Sequence, residues 1–228
     1  SAKNGVLCFG YVGEIYTLQP NQQPKMLEII VNTQDKNNNE SIIAINGGVR
    51  EMAVSPDGKE VAFIARGEVF VSSADGKMTK RVTNTSEQER FVEFAPDGKS
   101  IVYASERDGK WRIYEAKKVR KEEPYFYAST ILKETAVLEN KNTNTQPVYS
   151  PDGKEIAFIE NRNQLRIYNF ATKQSRTILN GDYLFAWTEN DQYFQWSPDS
   201  KWLLFDYAMP GSAVGEVGLV SADGKKIV

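Results

Sequence analysis

The chain has 228 residues, 25% of them charged, and a net charge of −2, so it offers no basic field that could neutralise nucleic acid phosphates. It contains no histidine, which excludes the serine–histidine and cysteine–histidine mechanisms and any histidine-ligated metal centre. Its one cysteine can form no internal disulfide, and no apolar stretch approaches the roughly 20 residues that span a membrane. We therefore expect no nucleic acid partner, no membrane insertion, no metal and no cofactor.

A short turn motif, Ser-Pro-Asp-Gly, recurs along the chain. It stands at residues 55–58 and 150–153, with alanine as its first residue at 95–98 and serine as its last at 197–200. Proline presets the first corner of a tight turn, aspartate accepts backbone amides two residues on, and glycine takes a positive φ. Since serine resists positive φ, we predict a different turn at Ser200. We assign structural roles in these turns to Pro56, Asp57, Gly58, Pro96, Asp97, Gly98, Pro151, Asp152, Gly153, Pro198 and Asp199.

Each turn stands between predicted strands. An apolar run follows it, at residues 61–64, 101–104, 156–159 and 203–206. Adjacent apolar residues indicate a strand buried on both faces, as in a sheet stacked between two others. A further strand follows each run, and outer strands are predicted at 79–83 and 175–179.

The spacing of the motifs is 40, 55 and 47 residues, which is typical of β-propeller blades. We predict an all-β fold: a single β-propeller segment over residues 1–228 with about five blades of four antiparallel strands. The first blade is predicted to lack its inner strand and the last most of its outer one. Because only a closed ring hides its strand edges, we interpret the segment as a fragment of a larger propeller that self-associates when isolated. The predicted blades cover approximately residues 1–46, 47–86, 87–142, 143–182 and 183–228.

The repeats resemble the propeller repeats of TolB and of tricorn-type serine peptidases. Residues 50–70, 81–91 and 119–127 are similar to the N-terminal propeller of bacterial tricorn-like peptidases, and the resemblance covers nearly the whole chain. It implies a non-catalytic module that binds or steers polypeptide for a protease domain, packs on sibling domains and is exported to the periplasm. The serine and histidine of such peptidases lie in a separate C-terminal region, and no residue here matches them.

Two other functions stay open. One is a stand-alone TolB-like adaptor that binds protein without an attached peptidase. The other is a propeller glycoside hydrolase, whose chemistry needs two carboxylates about 5–9.5 Å apart. The motif aspartates offer no such pair, because each is expected to cap its own turn.

Two segments are candidates for binding polypeptide or a sibling domain. An aromatic loop contains Tyr183, Phe185 and Trp187, whose rings can grip an extended peptide or pack between blades. An insertion over residues 117–139 is predicted to be a solvated hairpin with an apolar tip, formed by Tyr125, Phe126 and Tyr127.

Overall fold

The computed structural model describes residues 2–29, 47–184, 192–208 and 215–228. The chain divides into two compact units, Ser1–Gly47 and Gly48–Val228. The described residues form five antiparallel sheets of three or four strands and one short 3₁₀ helix, Arg107–Gly109. The predicted all-β class and its four-stranded antiparallel blades are thereby confirmed.

The first unit is one four-stranded sheet in which the strands follow one another in chain order. The predicted absence of an inner strand is wrong, because a two-residue strand pairs with its neighbour through Ala2 and Leu7. The turn between them is Asn4-Gly5, and both residues have positive φ, at 54° and 75°. Asparagine followed by glycine favours such a two-residue hairpin. The strands are β1 (Ala2–Lys3), β2 (Val6–Tyr11), β3 (Glu14–Leu18) and β4 (Lys25–Met26).

The second unit contains four sheets, each ordered from its inner strand outwards. Sheet B comprises β5 (Val49–Val54), β6 (Glu60–Ala65), β7 (Glu68–Ser73) and β8 (Thr79–Arg81). Sheet C comprises β9 (Glu89–Phe94), β10 (Ser100–Ser105), β11 (Arg112–Lys118) and β12 (Leu132–Ala136). Sheet D comprises β13 (Asn144–Tyr149), β14 (Glu155–Glu160), β15 (Gln164–Asn169) and β16 (Gln174–Leu179). Sheet E comprises β17 (Phe194–Trp196), β18 (Trp202–Ala208) and β19 (Gly215–Ser221), and an isolated bridge from Val220 to Ile227 begins a fourth strand.

Sheets B to E stack face to face, and this explains the apolar runs. Along β10, Ile101 and Tyr103 pack towards sheet B, whereas Val102 packs towards sheet D. All six residues of β10 are buried. Because successive side chains of a strand point to opposite faces, a strand between two sheets needs apolar residues at consecutive positions. Each fully buried large side chain contributes about 1.5–3 kcal/mol to folding.

The three motif turns that begin with serine share one set of hydrogen bonds. In the first, the Ser55 hydroxyl donates to Asp57 Oδ1 at 2.7 Å and accepts from the Glu60 amide, while the Lys59 amide donates to the same carboxylate. The pKa of Asp57 is lowered, chiefly by the Ser55 hydroxyl. The same closure recurs at Ser73 and at Ser221, which do not begin a Ser-Pro-Asp-Gly motif.

The turn at residues 197–200 corrects one expectation. Ser200 takes a φ of 59°, close to the 70° of Gly58. The Ser197 hydroxyl still donates to Asp199, and the Lys201 amide still donates to that carboxylate. The hydrogen bonds of the motif therefore hold a serine in the left-handed region, and the turn does not change. In addition, Ser200 Oγ accepts the Asp152 amide of the neighbouring motif turn at 3.2 Å.

Candidate functional site

The antiparallel order gives the second unit two different ends. Each inner strand finishes at a motif turn, so these turns lie together at one end, which we call the turn face. The inner strands begin at the other end, where the loops from each outer strand to the next inner strand also lie. We call this end the groove face. Binding residues in propellers belong on such loops, because the stacked sheets hold them rigidly.

An open groove of about 540 Å³ lies on the groove face between sheets B and C. Its walls come from the start of β5, the hairpin between β6 and β7, and the segment that leads into β9. Three arginines line it, and we call it the arginine groove: Arg50, Arg66 and Arg90, with Glu51, Glu87, Gln88 and Glu89 among the other lining residues.

Arg90 is fixed in place by the strand geometry. Its Nε donates to Glu51 Oε1 at 2.8 Å, and its guanidinium lies 4.6 Å from the centre of the Phe91 ring. The other Glu51 oxygen accepts the Phe91 amide. Phe91 has a φ of 60°, a value that bulky residues avoid, and the pairing of β9 with β10 shifts register here. Glu51 therefore joins sheet B to a bulge in sheet C and neutralises one of the three arginines.

Arg50 and Arg66 are not neutralised in this way. Both side chains are exposed, and neither forms a hydrogen bond or an ion pair with any residue in the described ranges. Arg66 stands in the β6–β7 hairpin with a φ of 54°, followed by Gly67 at 82°, so the turn itself projects it over the groove. Guanidinium groups suit carboxylates, since their planar forks donate two parallel hydrogen bonds. The groove can thus receive an anionic group.

A second cavity, of about 680 Å³, lies on the turn face. Its wall includes Pro56, Pro96 and Pro124, and most of its charged groups have partners within the protein, Lys121 being the exception among the described residues. Lys118 Nζ donates to the carbonyl oxygens of Gly98 and Pro124, at 3.3 and 2.5 Å. Burial lowers the pKa of Lys118. Arg120 is paired with Glu123 and Lys99 with Asp97, both at 3.6 Å. This cavity has few free charges to offer a ligand.

The predicted exposed tip of the insertion is wrong for Phe126, which is 0% exposed. Its ring packs in the core between sheets B and C, 6.0 Å from the ring of Phe94. Its amide donates to Glu60 Oε1 at 2.6 Å, and the Tyr127 amide donates to the same oxygen at 3.2 Å. Burial raises the pKa of Glu60. The insertion therefore folds back onto sheet B of its own unit, and Phe126 cannot contact a partner.

The neighbouring tyrosines of the tip remain half-buried. Tyr125 and Tyr127 stack with ring centres 5.1 Å apart, and Lys59 Nζ donates to the Tyr125 hydroxyl at 3.1 Å. Their proposed contact with a sibling domain stays a prediction.

The aromatic loop is described only at its start. The Tyr183 ring lies 5.9 Å from the Tyr207 ring and packs against the core between sheets D and E. Phe185 and Trp187 lie outside the described residues. A binding role for these three aromatic residues stays a prediction.

The arginines of the groove were missed by sequence reasoning. A difference between the two ends of the strands could have revealed them. The residue after each of the four motif turns is a lysine, whereas the groove-face ends of the strands carry arginines. The lysines are Lys59, Lys99, Lys154 and Lys201, and the arginines are Arg50, Arg66 and Arg90. In the described part of the chain, no three His, Cys, Asp or Glu residues are grouped so that they could hold a metal ion. No helix there is long and apolar enough to cross a membrane.

The sequence profile of the TolB β-propeller domain family, PD40, matches residues 16–227. A curated relative from Sulfurisphaera tokodaii, described as a tricorn-like protease C-terminal subunit, is 24% identical over 97% of this chain. The chain spans only 23% of the length of that relative.

Two solved structures share the fold. TolB from Acinetobacter baumannii superimposes with a TM-score of 0.60 and 21% identity, over 94% of this chain and 47% of that one. The tricorn protease superimposes with a TM-score of 0.61 and 16% identity, over 96% of this chain and 20% of that one. Identities this low show the fold alone.

Proposed function

Because the chain belongs to the TolB β-propeller domain family, we propose that it is a non-catalytic module that binds polypeptide substrate in the arginine groove and steers it to a peptidase domain. The observation that carries this proposal is that Arg50 and Arg66, in an open groove on the loop-bearing face, have no partner among the described residues. The likeness to a tricorn-like protease subunit supports the peptidase connection.

The chemistry of the groove favours acidic segments of polypeptide. A hydrogen bond to a charged group contributes about 1.5–3 kcal/mol, and a carboxylate that reaches both arginines makes more than one. The paired Arg90 and Glu51 set the rim of the groove without adding net charge. An extended chain with glutamate or aspartate side chains therefore fits this surface better than a basic one.

Two observations support the absence of catalysis. The sequence contains no histidine, so a serine or cysteine nucleophile has no histidine base. Of the three acids that line the groove, Glu51 is paired with Arg90 and Glu89 is 0% exposed, which leaves Glu87 without a second free carboxylate to act with it on a glycosidic bond. We therefore favour binding over glycoside hydrolysis.

A stand-alone TolB-like adaptor is the alternative. The TM-scores with TolB and with the tricorn protease are 0.60 and 0.61, so the fold favours neither. In both cases the arginine groove would bind polypeptide, and only the fate of the bound chain differs. The periplasmic location stays a prediction.

Packing on a sibling domain is the second part of the proposal. The outward face of sheet E exposes Val217 and Leu219, at 69% and 40%. On the inward face of the same sheet, Leu203 and Phe205 are 0% and 1% exposed, because sheet D covers them. An uncovered apolar sheet face supports contact with another domain, and the self-association predicted for the isolated segment would use the same surface.

Peptide binding with matched variants tests the groove. Two unstructured 12-residue peptides, identical except that one has glutamate where the other has glutamine, are titrated against the 228-residue chain by fluorescence anisotropy. We expect the glutamate peptide to bind at least about tenfold more tightly, because charge-assisted hydrogen bonds are the stronger ones. The double variant Arg50→Ala/Arg66→Ala should lose this preference while its stability changes by less than about 0.5 kcal/mol.

The control is Arg120→Ala, which removes an exposed, ion-paired arginine from the turn face. It should leave the preference intact. Equal losses in Arg120→Ala and in the groove variants would show that net charge, and not the groove, determines binding. No preference in the wild-type chain would overturn the proposal.

A further inference from the structure

Beneath one wall of the arginine groove, two buried glutamates approach a single hydroxyl group. Glu68 begins β7 and Glu89 begins β9. Thr83 Oγ1 lies 2.7 Å from Glu68 Oε2 and 3.1 Å from Glu89 Oε2. Thr83 belongs to the segment of residues 82–88, which connects β8 to β9 and supplies Glu87 and Gln88 to the groove.

The Thr83 hydroxyl cannot donate a hydrogen bond to two ionised carboxylates at once. Its hydroxyl oxygen already accepts the Val69 amide at 2.9 Å. The hydroxyl has one hydrogen to donate, and both carboxylate oxygens lie within hydrogen-bond distance. If both acids were ionised, one of these contacts would join two oxygens with no hydrogen between them. A proton on one carboxyl group satisfies every contact, because that group donates to Thr83 and Thr83 donates to the other.

Glu68 has a cation directly beside it. Its Oε1 accepts from a guanidinium nitrogen of Arg81, and the pair forms an ion bridge. Arg81 also donates through Nε to the Thr83 carbonyl oxygen at 2.7 Å. A cation fixed beside Glu68 makes its carboxylate the acceptor of the Thr83 hydroxyl.

Among the described residues, no cation forms a hydrogen bond with Glu89. Its Oε1 accepts the hydroxyls of Thr85 and Ser105, each at 2.8 Å. Arg107 Nη2 lies 3.9 Å from that oxygen, too far for a hydrogen bond, and has no hydrogen-bond partner among the described residues. The Nη1 and Nε atoms of the same guanidinium donate to Glu134 and Ser105.

The charges of the surrounding elements balance when Glu89 is neutral. Arg81 offsets Glu68, and Arg107 offsets Glu134, which also accepts the Tyr103 hydroxyl. Burial raises the pKa of Glu89, and the charge of Glu68 adds to the rise.

We propose that Glu89 retains a proton that it shares with Glu68 through Thr83, and that loss of this proton as the pH rises loosens residues 82–88 and weakens the arginine groove. Ionised Glu89 and Glu68 would repel each other across Thr83, and the hydroxyl contacts that fasten the segment would be lost. The new negative charge would also lie next to Arg90 in sequence, among the arginines of the groove. The second half of this proposal rests on the proposed function, and the first half does not.

Denaturant unfolding from pH 4.5 to 8 tests the shared proton through Glu89→Gln. The glutamine amide mimics the protonated acid, since it can donate to Thr83 while its oxygen accepts from Thr85 and Ser105. A folded-state pKa raised above the unfolded one adds stability that is fully present at low pH and is lost as the pH rises through the folded-state pKa. Relative to Glu89→Gln, the wild-type ratio of folded to unfolded chains should therefore fall about tenfold per pH unit between these two pKa values. Other titrating acids are present in both proteins and cancel.

Glu68→Gln is the matched variant. It breaks the pair with Arg81, removes the repulsion across Thr83, and should shift the titration of Glu89 to lower pH. A carbon-13 NMR titration of the Glu89 carboxyl in the wild-type chain gives the same answer without any substitution. A titration midpoint at or below 4.5, or parallel stability curves for wild type and Glu89→Gln, would overturn the shared proton.

The second part of the proposal, that loss of the proton weakens the arginine groove, is tested by measuring binding of the glutamate 12-residue peptide at each pH. Affinity for wild type should decline with rising pH relative to affinity for Glu89→Gln, and the ratio removes any titration of the peptide itself. A constant ratio alongside a raised Glu89 midpoint would overturn the link to the groove but leave the shared proton in place. A peptide that binds neither protein would overturn the proposed function and that link, while the NMR midpoint still decides the shared proton.

Discussion

The turn face and the groove face of the second unit are built from the same strands, but their charged side chains differ in whether they have partners within the protein. On the turn face, motif aspartates such as Asp57 and Asp199 are held by a serine hydroxyl and a backbone amide of their own turns. On the groove face, Arg50 and Arg66 have no partner among the described residues. A repeated, internally satisfied pattern serves the fold, whereas irregular and unsatisfied charges on loops are available for binding.

The largest predicted loss of stability comes from a substitution in the insertion beside the turn face. Replacing Phe126 with alanine removes a fully buried ring from the core between sheets B and C and should destabilise the second unit by about 3–5 kcal/mol. Tyr193→Ala, at a ring that is 57% exposed on the groove face, serves as the control and should cost about 1 kcal/mol or less. Denaturant unfolding measures both. Similar losses for the two variants would mean that the insertion does not belong to the core.

The second prediction concerns the pH dependence of stability and rests on the difference between two acids on the inner strands. Glu51 accepts the Phe91 amide and is paired with Arg90, whereas Glu93 accepts the Tyr149 amide at 2.8 Å and has no ion pair among the described residues. Burial accordingly raises the pKa of Glu93 to about 7.

This raised pKa predicts a pH-dependent stability. The stabilisation associated with neutral Glu93 is complete below its ordinary pKa of 4.5 and is lost as the pH rises through about 7. The loss should be about 2–3 kcal/mol in the wild type and absent in Glu93→Gln. Unfolding midpoints from pH 4.5 to 8 provide the measurement. If wild type and Glu93→Gln lose stability in parallel over this range, Glu93 is not the group responsible.

The smallest effect lies within the turns themselves. Ser55→Ala removes a hydroxyl that donates to Asp57 and accepts the Glu60 amide, and should cost about 1 kcal/mol. The turn at residues 95–98 is a natural counterpart, because Ala95 stands where the other motif turns have serine. Ala95→Ser should therefore gain up to about 1 kcal/mol. A loss of stability in Ala95→Ser would show that the second turn has a different geometry.

The fold was largely readable from the sequence, because each blade repeats the same local chemistry. Proline, aspartate and glycine mark the turns, and consecutive apolar residues such as Ile101 and Val102 mark strands buried on both faces. The two-residue strand β1 escaped detection because the turn after it is Asn4-Gly5 and lacks the motif.

The site was less readable, since it depends on contacts between distant residues. Nothing local to Phe126 reveals that Glu60, 66 positions earlier, accepts its amide and brings the ring into the core. The sequence likewise does not show that Arg50 and Arg66 lack partners in the part of the chain that the structure describes. The sharing of a proton by Glu68 and Glu89 depends on the placement of Thr83 between them.

Hydrogen–deuterium exchange with the glutamate peptide bound tests most directly whether the groove face binds peptide while the turn face only stabilises the fold. We expect slower exchange in residues 48–51, 66–67 and 86–90, which surround the arginine groove. Residues 55–58, 95–99 and 118–124, around the turn-face cavity, should exchange at the rate of the free protein. Protection confined to the turn-face segments would mean that the peptide binds at the opposite end of the blades and not in the arginine groove.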